Sequence, residues 1–424
     1  MLQVFFSSWA LLVGMGMLMV ANGMQSSILG IRGEIEGFST YEMSIVMSAY
    51  FAGFLGGSQM APRLIQRVGH VRVFAALASA ISAIMIFYPA WTDPWAWTFG
   101  RVLIGFCFSA VYVTAESWLN NSATNENRGQ ALSLYMVVQM LGIVTAQGLL
   151  VLADPSSFIP FVIPSVLVSI AITPILLSVS PTPAFETTKR MGLVALWHAS
   201  PLGCVGMFLL GGIFAAQFGM SSVFGTQAGL SVSQISTFVA TFFFSAVLTQ
   251  YPIGWISDRM DRRLLITIVS GVGALGAVIG MVFGDQFSML LVSAFMIGGM
   301  SNPLYSLLLA HTNDFLDYDD MAAASGGLVF LGGLGAVSGP LIVGVLMERF
   351  GPQGFYTFTL ALFAALLGYS IYRATRRATI AVEDTGTYVV MSQASVTPVG
   401  MEIAQEYAIE SDQESNEAEE NAAI

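Results

Sequence analysis

Apolar stretches long enough to cross a bilayer fill this chain almost end to end, and that leaves few folds open. Runs are read at about 4–29, 41–62, 70–90, 95–119, 129–153, 157–179, 202–224, 232–256, 264–284, 287–311, 322–348 and 352–374. A helix that spans hydrocarbon needs roughly 20 apolar residues. In lipid only helices and closed barrels satisfy their own backbone. The runs are long and continuous, not the ten-residue alternations of barrel strands. The expectation is an all-α membrane protein with twelve transmembrane helices. The first run continues to spanning length, so it reads as a span rather than a cleaved signal. Of the 424 residues, 55% are hydrophobic and 10% charged, where a soluble domain carries about 25% charged.

The net charge of −11 belongs to one region. Residues 378–424 hold ten acids and no Lys or Arg, which leaves the body, 1–377, with 16 acids and 15 bases. Nothing here favours nucleic acid. The polar, acidic tail reads as disordered, repelled by an anionic leaflet, and dispensable for transport. Cys107 and Cys204 lie in predicted spans and read as packing residues.

Basic residues set the expected orientation, because Lys and Arg accumulate in short cytoplasmic loops. With the N-terminus inside, twelve bases fall in cytoplasmic segments, among them Arg63, Arg128, Lys189, Arg190 and Arg377. Only Arg32 and Arg349 fall outside, and Arg101 lies within a span. Both termini are therefore expected in the cytoplasm, with Trp91, Trp95 and Trp97 at the outer interface.

A weak internal repeat divides the chain. Gly37-Phe-Ser39 through Ser44 matches Gly229-Leu-Ser231 through Ser236 at an offset of 192, and Arg67 matches Arg259 at the same offset. Tyr112 and Asn120 match Tyr305 and Asn313 one residue further apart. Two six-helix bundles are expected, 1–179 and 202–377, with a cytoplasmic connector over 180–201 and the tail from 378.

The charged turn Gly254-Trp-Ile-Ser-Asp258-Arg259-Met-Asp261-Arg262-Arg263 separates two apolar runs. It resembles the cytoplasmic loop signature of the major facilitator superfamily. A degenerate first-half copy keeps Arg67, Gly69 and Arg72, with Gln66 where the family has Asp and Pro62 where it has Gly. Arg101-Val-Leu-Ile-Gly105 resembles a fourth-span segment that the family links to proton coupling. The drug-antiporter element G-P-x-x-G-G is absent from span five. Glu116-Ser-Trp-Leu-Asn120, and Pro303-Leu-Tyr305 through Asp314, resemble the poorly characterised YcaD-like branch. The resemblance implies parallel six-helix repeats with substrate at their interface. It also implies a cytoplasmic gate at Arg67, Gly69, Arg72, Gly254, Asp258, Arg259, Asp261, Arg262 and Arg263.

Four residues stand out as candidates for substrate binding or proton coupling. Arg101 sits below the tryptophans, either facing a cavity or snorkelling outward. Glu116 lies fifteen residues further along the same helix, too far to pair with it. It is a protonatable carboxylate if desolvated, or a structural partner of Arg67 or Arg72. His311 and Asp314, three apart, share a helical face. Asn302-Pro303 inside span ten reads as a kink or a hinge. No phosphate-binding Gly-rich loop occurs and Lys189 is the only lysine, so ATP drive is not expected. The three histidines lack metal-ligand spacing. No enzymatic activity, cofactor or metal is expected, and the protein is expected to be monomeric. A proton-coupled transporter of small organic solutes, an uncoupled facilitator, and a membrane sensor or scaffold signalling through the tail all remain compatible with these residues.

Overall fold

The computed structural model describes residues 2–122, 128–177, 191–376, 385–386 and 388–423. Regular structure there is helical. The first half holds α1 (Leu2–Ile35), α2 (Thr40–Val68), α3 (His70–Ala90), α4 (Pro94–Ser122), α5 (Arg128–Leu150) and α6 (Ile159–Leu177). A short α7 (Leu193–Ala199) follows, in the second part of the expected connector. Residues 180–190, including Lys189 and Arg190, lie outside the described set. The second half begins with α8 (Pro201–Ala215), a π-helical turn (Ala216–Met220) and α9 (Ser221–Gln227), which together make one long element. It continues with α10 (Val232–Ser257), α11 (Arg262–Val282), α12 (Phe287–Asn313), α13 (Tyr318–Phe350) and α14 (Gln353–Ala374). A last helix, α15 (Pro398–Ala423), belongs to the tail.

Among the described residues, ten helices are long and apolar enough to cross a membrane. The two expected spans outside that set are α2, which carries Glu42, Arg63 and Arg67, and α6, whose apolar part is the shorter Ile159–Ile175.

The repeat is visible as local structure. Gly37 and Gly229 take φ of 78° and 72°, left-handed backbone that glycine adopts without penalty. Two residues on, Ser39 and Ser231 each close a capping box, with Glu42 and Gln234 respectively. Each box satisfies helix-start donors that nothing else would reach.

Close helix approach explains several glycines. A side chain at Gly53 or Gly57 would strike the α4 backbone at Val102 or Phe106, and one at Gly105 would strike Tyr50 of α2. In the second half, Gly211 and Gly335 bring α8 and α13 together in the same way. Small residues let helices touch where lipid supplies no hydrophobic drive.

The helices alternate in direction, so the turn at Asp258–Asp261 and the Gly69 junction share one end of the bundle, called here the basic end. The two halves touch each other toward the opposite end. Ser48 Oγ donates to Val337 O of α13 at 2.5 Å. Ser26 Oγ donates to Phe218 O at 2.9 Å, and Ser236 Oγ donates to Gln147 O. Toward the basic end the halves part, and the tail fills the space between them.

Over its described residues the tail departs from the expected disorder. Tyr388, Met391, Ala394, Val396, Met401, Ile403, Ala404 and Ala408 are all buried. Averaging over 378–424 hides a neutral, partly apolar stretch behind the acids that flank it. Trp97 is fully buried among neighbouring helices, donating to Tyr88 O and Trp91 O at 3.0 Å each, while Trp91 and Trp95 are exposed.

Candidate functional site: a polar core between the halves

Arg101 has no exposed surface at all. Snorkelling is thereby ruled out for this conformation. Its guanidinium donates to Gln25 Oε1 at 2.9 Å and lies over the Tyr50 ring, 4.6 Å from the centroid. The Met47 sulfur sits 3.6 Å away. Its Nε finds no hydrogen-bond partner among the described residues. Among the described residues no carboxylate pairs with it. A buried cation without a counter-charge is costly, so this position is built at the expense of stability.

A chain of amides continues from the arginine. Gln25 Nε2 donates to Asn22 Oδ1 at 3.2 Å, and Asn22 Nδ2 donates to the Tyr50 and Tyr112 hydroxyls at 3.1 and 2.9 Å. This network joins α1, α2 and α4. Sequence reasoning missed Asn22 and Gln25. Their signal was present: two amides three residues apart, on one face of an otherwise apolar run. Across the interface, Gln217 in the π-turn of the second half donates to Ser301 Oγ of α12 at 3.0 Å. Single π-turns inside α-helices recur at functional positions.

Below the network, toward the basic end, a cavity is lined by Tyr50, Phe54, Phe214, Tyr305 and Val329, and also by Gln393, Ala394 and Val396 of the tail. Among the described residues the Tyr305 hydroxyl and the Gln393 Oε1 are buried without a partner.

Glu116 is buried on α4. Its carboxylate accepts from the Thr397 hydroxyl of the tail. The expected structural partners, Arg67 and Arg72, are instead exposed, and among the described residues neither forms an ion pair. Glu116 is thus not part of a charge relay with them.

The signature turn divides into exposed and buried parts. Arg259 is exposed, stacked on Trp255 at 4.2 Å and donating to its carbonyl at 3.0 Å. Asp261 caps α11 by accepting from Arg263 N at 2.8 Å. Arg262 and Arg263 are buried. Arg262 pairs with Asp314 and stands 3.9 Å from Asp258. It also donates to Gly386 O of the tail, while Gly386 N donates to Asp314 at 3.3 Å. Gly254 packs on the Tyr388 ring. Gly69, at φ 85°, joins α2 to α3 in a single residue. His311 is buried against Phe315, with ring centroids 5.1 Å apart. The structure therefore gathers Arg262, Asp314 and Gly254 around the tail, and leaves Arg67, Arg72 and Arg259 at the surface.

Farther along the tail, burial pushes the Glu402 carboxyl up to about 7, with neighbouring Glu406 adding to the effect. Among the described residues no group of three or more His, Cys, Asp or Glu could hold a metal ion.

Comparisons with known proteins agree with this architecture. The Major Facilitator Superfamily profile matches residues 4–231 and 202–399. An uncharacterised MFS-type transporter, YE1530 of Yersinia enterocolitica, is 27% identical over 73% of this chain and 81% of its own. YcaD of Escherichia coli, likewise an uncharacterised MFS-type transporter, is 25% identical over 80% of this chain and 88% of its own. Among solved structures, the nucleoside transporter NupG superposes with a TM-score of 0.69 at 14% identity, covering 87% of this chain and 98% of that one. A bacterial homologue of the human lysosomal transporter Spinster, inward-facing and occupied, reaches 0.68 at 14% identity over 90% and 98%. At such identity the likeness concerns fold alone. The profile spans both halves, and the relatives it agrees with are transporters: the chain belongs to the major facilitator superfamily, as a multi-pass membrane transporter.

Proposed function

We propose that the protein moves a small organic solute carrying a negative charge across a bacterial-type inner membrane by alternating access, coupled to protons. The carrying observation is Arg101. A fully buried guanidinium with an unpartnered Nε and, among the described residues, no carboxylate beside it lacks a counter-charge there, and an anionic solute would supply one. Arg can hold a carboxylate or phosphate through two parallel bonds. The Gln25–Asn22–Tyr112 chain would orient the rest of the solute. Glu116, buried in the same half, is the group proposed to carry the proton.

Both termini would lie in the cytoplasm, following the basic loops. The cavity would then open inward, with the opposite end sealed. The turn from Gly254 to Arg263, together with Arg67, Gly69 and Arg72, would meet across the halves only when the inner side closes. Binding must favour one orientation over the other for the cycle to be driven.

A thermal-shift screen of metabolites on purified protein tests this reading, because a bound ligand raises apparent stability. Small carboxylates or phosphate esters should shift the wild type and not Arg101→Met. Flux of the best hit in liposomes, with and without a pH gradient, tests coupling. Hits confined to neutral solutes and indifferent to Arg101 would overturn the anion reading.

A further inference from the structure

We infer that residues 388–405, with Gly386 held at the mouth, form a built-in plug, in which the tail occupies the protein's own cavity and must withdraw before the halves can move. The segment lies between the halves and bonds to both. On the first-half side, Ser395 donates to Gln139 Oε1 of α5 and Thr397 to Glu116 of α4. On the second-half side, Gln393 Nε2 donates to Leu210 O at 3.0 Å and Met391 N donates to Ser306 Oγ at 2.9 Å. Gln405 Nε2 donates to Asn313 Oδ1 of α12 at 3.1 Å. At the mouth, Arg262 and Asp314 together grip Gly386 through its carbonyl and its N–H. A segment bonded to both halves holds them at one separation.

The composition of the segment suits this place. From Tyr388 to Met401 there is no charged residue, although acids stand on both sides at Asp384 and Glu402. Only a neutral stretch can enter a dry cavity without the cost of desolvating a charge. Gln393, Ala394 and Val396 line the central cavity itself, so the docked segment closes the route from the basic end. Docking also covers Glu116, the proposed proton carrier. Occupancy and coupling would thus be blocked together.

This inference rests on the proposed reading of the cavity as the transport path, and its test needs no substrate. In full-length protein with Cys107→Ser and Cys204→Ser, Val329→Cys places one thiol on the cavity wall. Inside-out vesicles are treated with a membrane-impermeant maleimide. Labelling should be slow in that protein and at least tenfold faster when Ala394→Asp and Val396→Asp put charges into the neutral stretch. A chain ending after Arg376 should match the fast rate. Equal rates in all three would overturn the plug. If the altered chains fail to fold, a bifunctional thiol cross-linker decides the matter in the full chain. Ser395→Cys with Gln139→Cys should cross-link efficiently; no cross-link would overturn the proposal. A confirmed plug without any detectable transport would instead count against the proposed function alone.

Discussion

Thr397 donates its hydroxyl hydrogen to the carboxylate of Glu116, across 281 positions of sequence. The bond joins the tail to the fourth helix, and one end of it is the residue proposed to carry a proton. Replacing that carboxylate by an amide separates the two roles. Glu116→Gln keeps an acceptor for Thr397 and preserves shape. It should leave melting temperature nearly unchanged and lower proton-driven flux at least tenfold, with exchange at equal pH affected much less. Both are measurable in liposomes at matched protein. Wild-type pH dependence in this variant would remove Glu116 from the coupling.

Arg101 should show the opposite signs for stability and function. Arg101→Met keeps the aliphatic stem and removes a buried charge that has no counter-charge among the described residues. Melting temperature should stay level or rise, since hydrophobic replacement of buried ionic groups is often stabilising by about 1–4 kcal/mol. Solute binding should be lost, and Arg101→Lys should recover little because it lacks the planar fork. A large loss of stability in Arg101→Met would show that the guanidinium serves packing instead.

The Arg262–Asp314 pair is buried on both sides, whereas Asp258 is about half exposed, at 48%. Asp314→Asn should therefore cost about 3 kcal/mol, the penalty for stranding a buried charge. Asp258→Asn should cost less than about 1 kcal/mol, and Gln66→Ala almost nothing. Thermal melts of the three variants give the ranking directly. A similar loss from Asp258→Asn and Asp314→Asn would contradict it.

Glycine at the α2–α4 crossing is a steric requirement. A methyl group at Gly105 would collide with the Tyr50 backbone, while one at Gly148 or Gly368 meets open space. Gly105→Ala should destabilise by about 1–3 kcal/mol, the range for overpacking. Gly148→Ala should be neutral or stabilise by up to about 1 kcal/mol through helix propensity. Detergent-resistant fractions after heating distinguish the two.

Docking of the tail should weaken as pH rises. The docked state raises the Glu402 carboxyl from its ordinary 4.5 to about 7, by burial first and by Glu406 second. The docked form therefore keeps its proton where a free tail has lost it. This contribution is intact below about pH 4.5, declines between 4.5 and 7, and is gone above about 7. Hydrogen exchange of α15 amides should accelerate from pH 5 to 8 beyond the intrinsic chemical rate, and Glu402→Gln should flatten that excess. An unchanged excess in Glu402→Gln would assign the effect to another group.

Much of the fold was legible because the constraint was severe. Runs of spanning length admit helices, and the repeat at Ser39 and Ser231 marked equivalent helix starts. Arg101 was legible for a related reason, since a charge inside such a run must find an explanation. Its partners were not. Gln25 and Asn22 do stand out as two amides on one face of an apolar run, but the contacts they make between α1, α2 and α4 are non-local and no sequence pattern names those partners. The tail misled because polarity was averaged over its full length. Tyr388, Met391 and Val396 are apolar enough to bury, but a short apolar stretch is decisive only when a matching cavity is known. The signature turn was found, yet its division into buried Arg262 and exposed Arg259 depends on which face of the helix start meets α12 and the tail.

The paired turns at Gly37–Ser39 and Gly229–Ser231 have a consequence for mutational scanning. Each combines left-handed glycine with a reciprocal serine box, and they stand 192 positions apart. A map of tolerated substitutions, slid along itself by that interval, should coincide at these two places. At Arg101 the map should not coincide, because that residue has no cationic counterpart in α12. The duplicated scaffold would appear as a shared tolerance profile, and the specialised half as the departure from it.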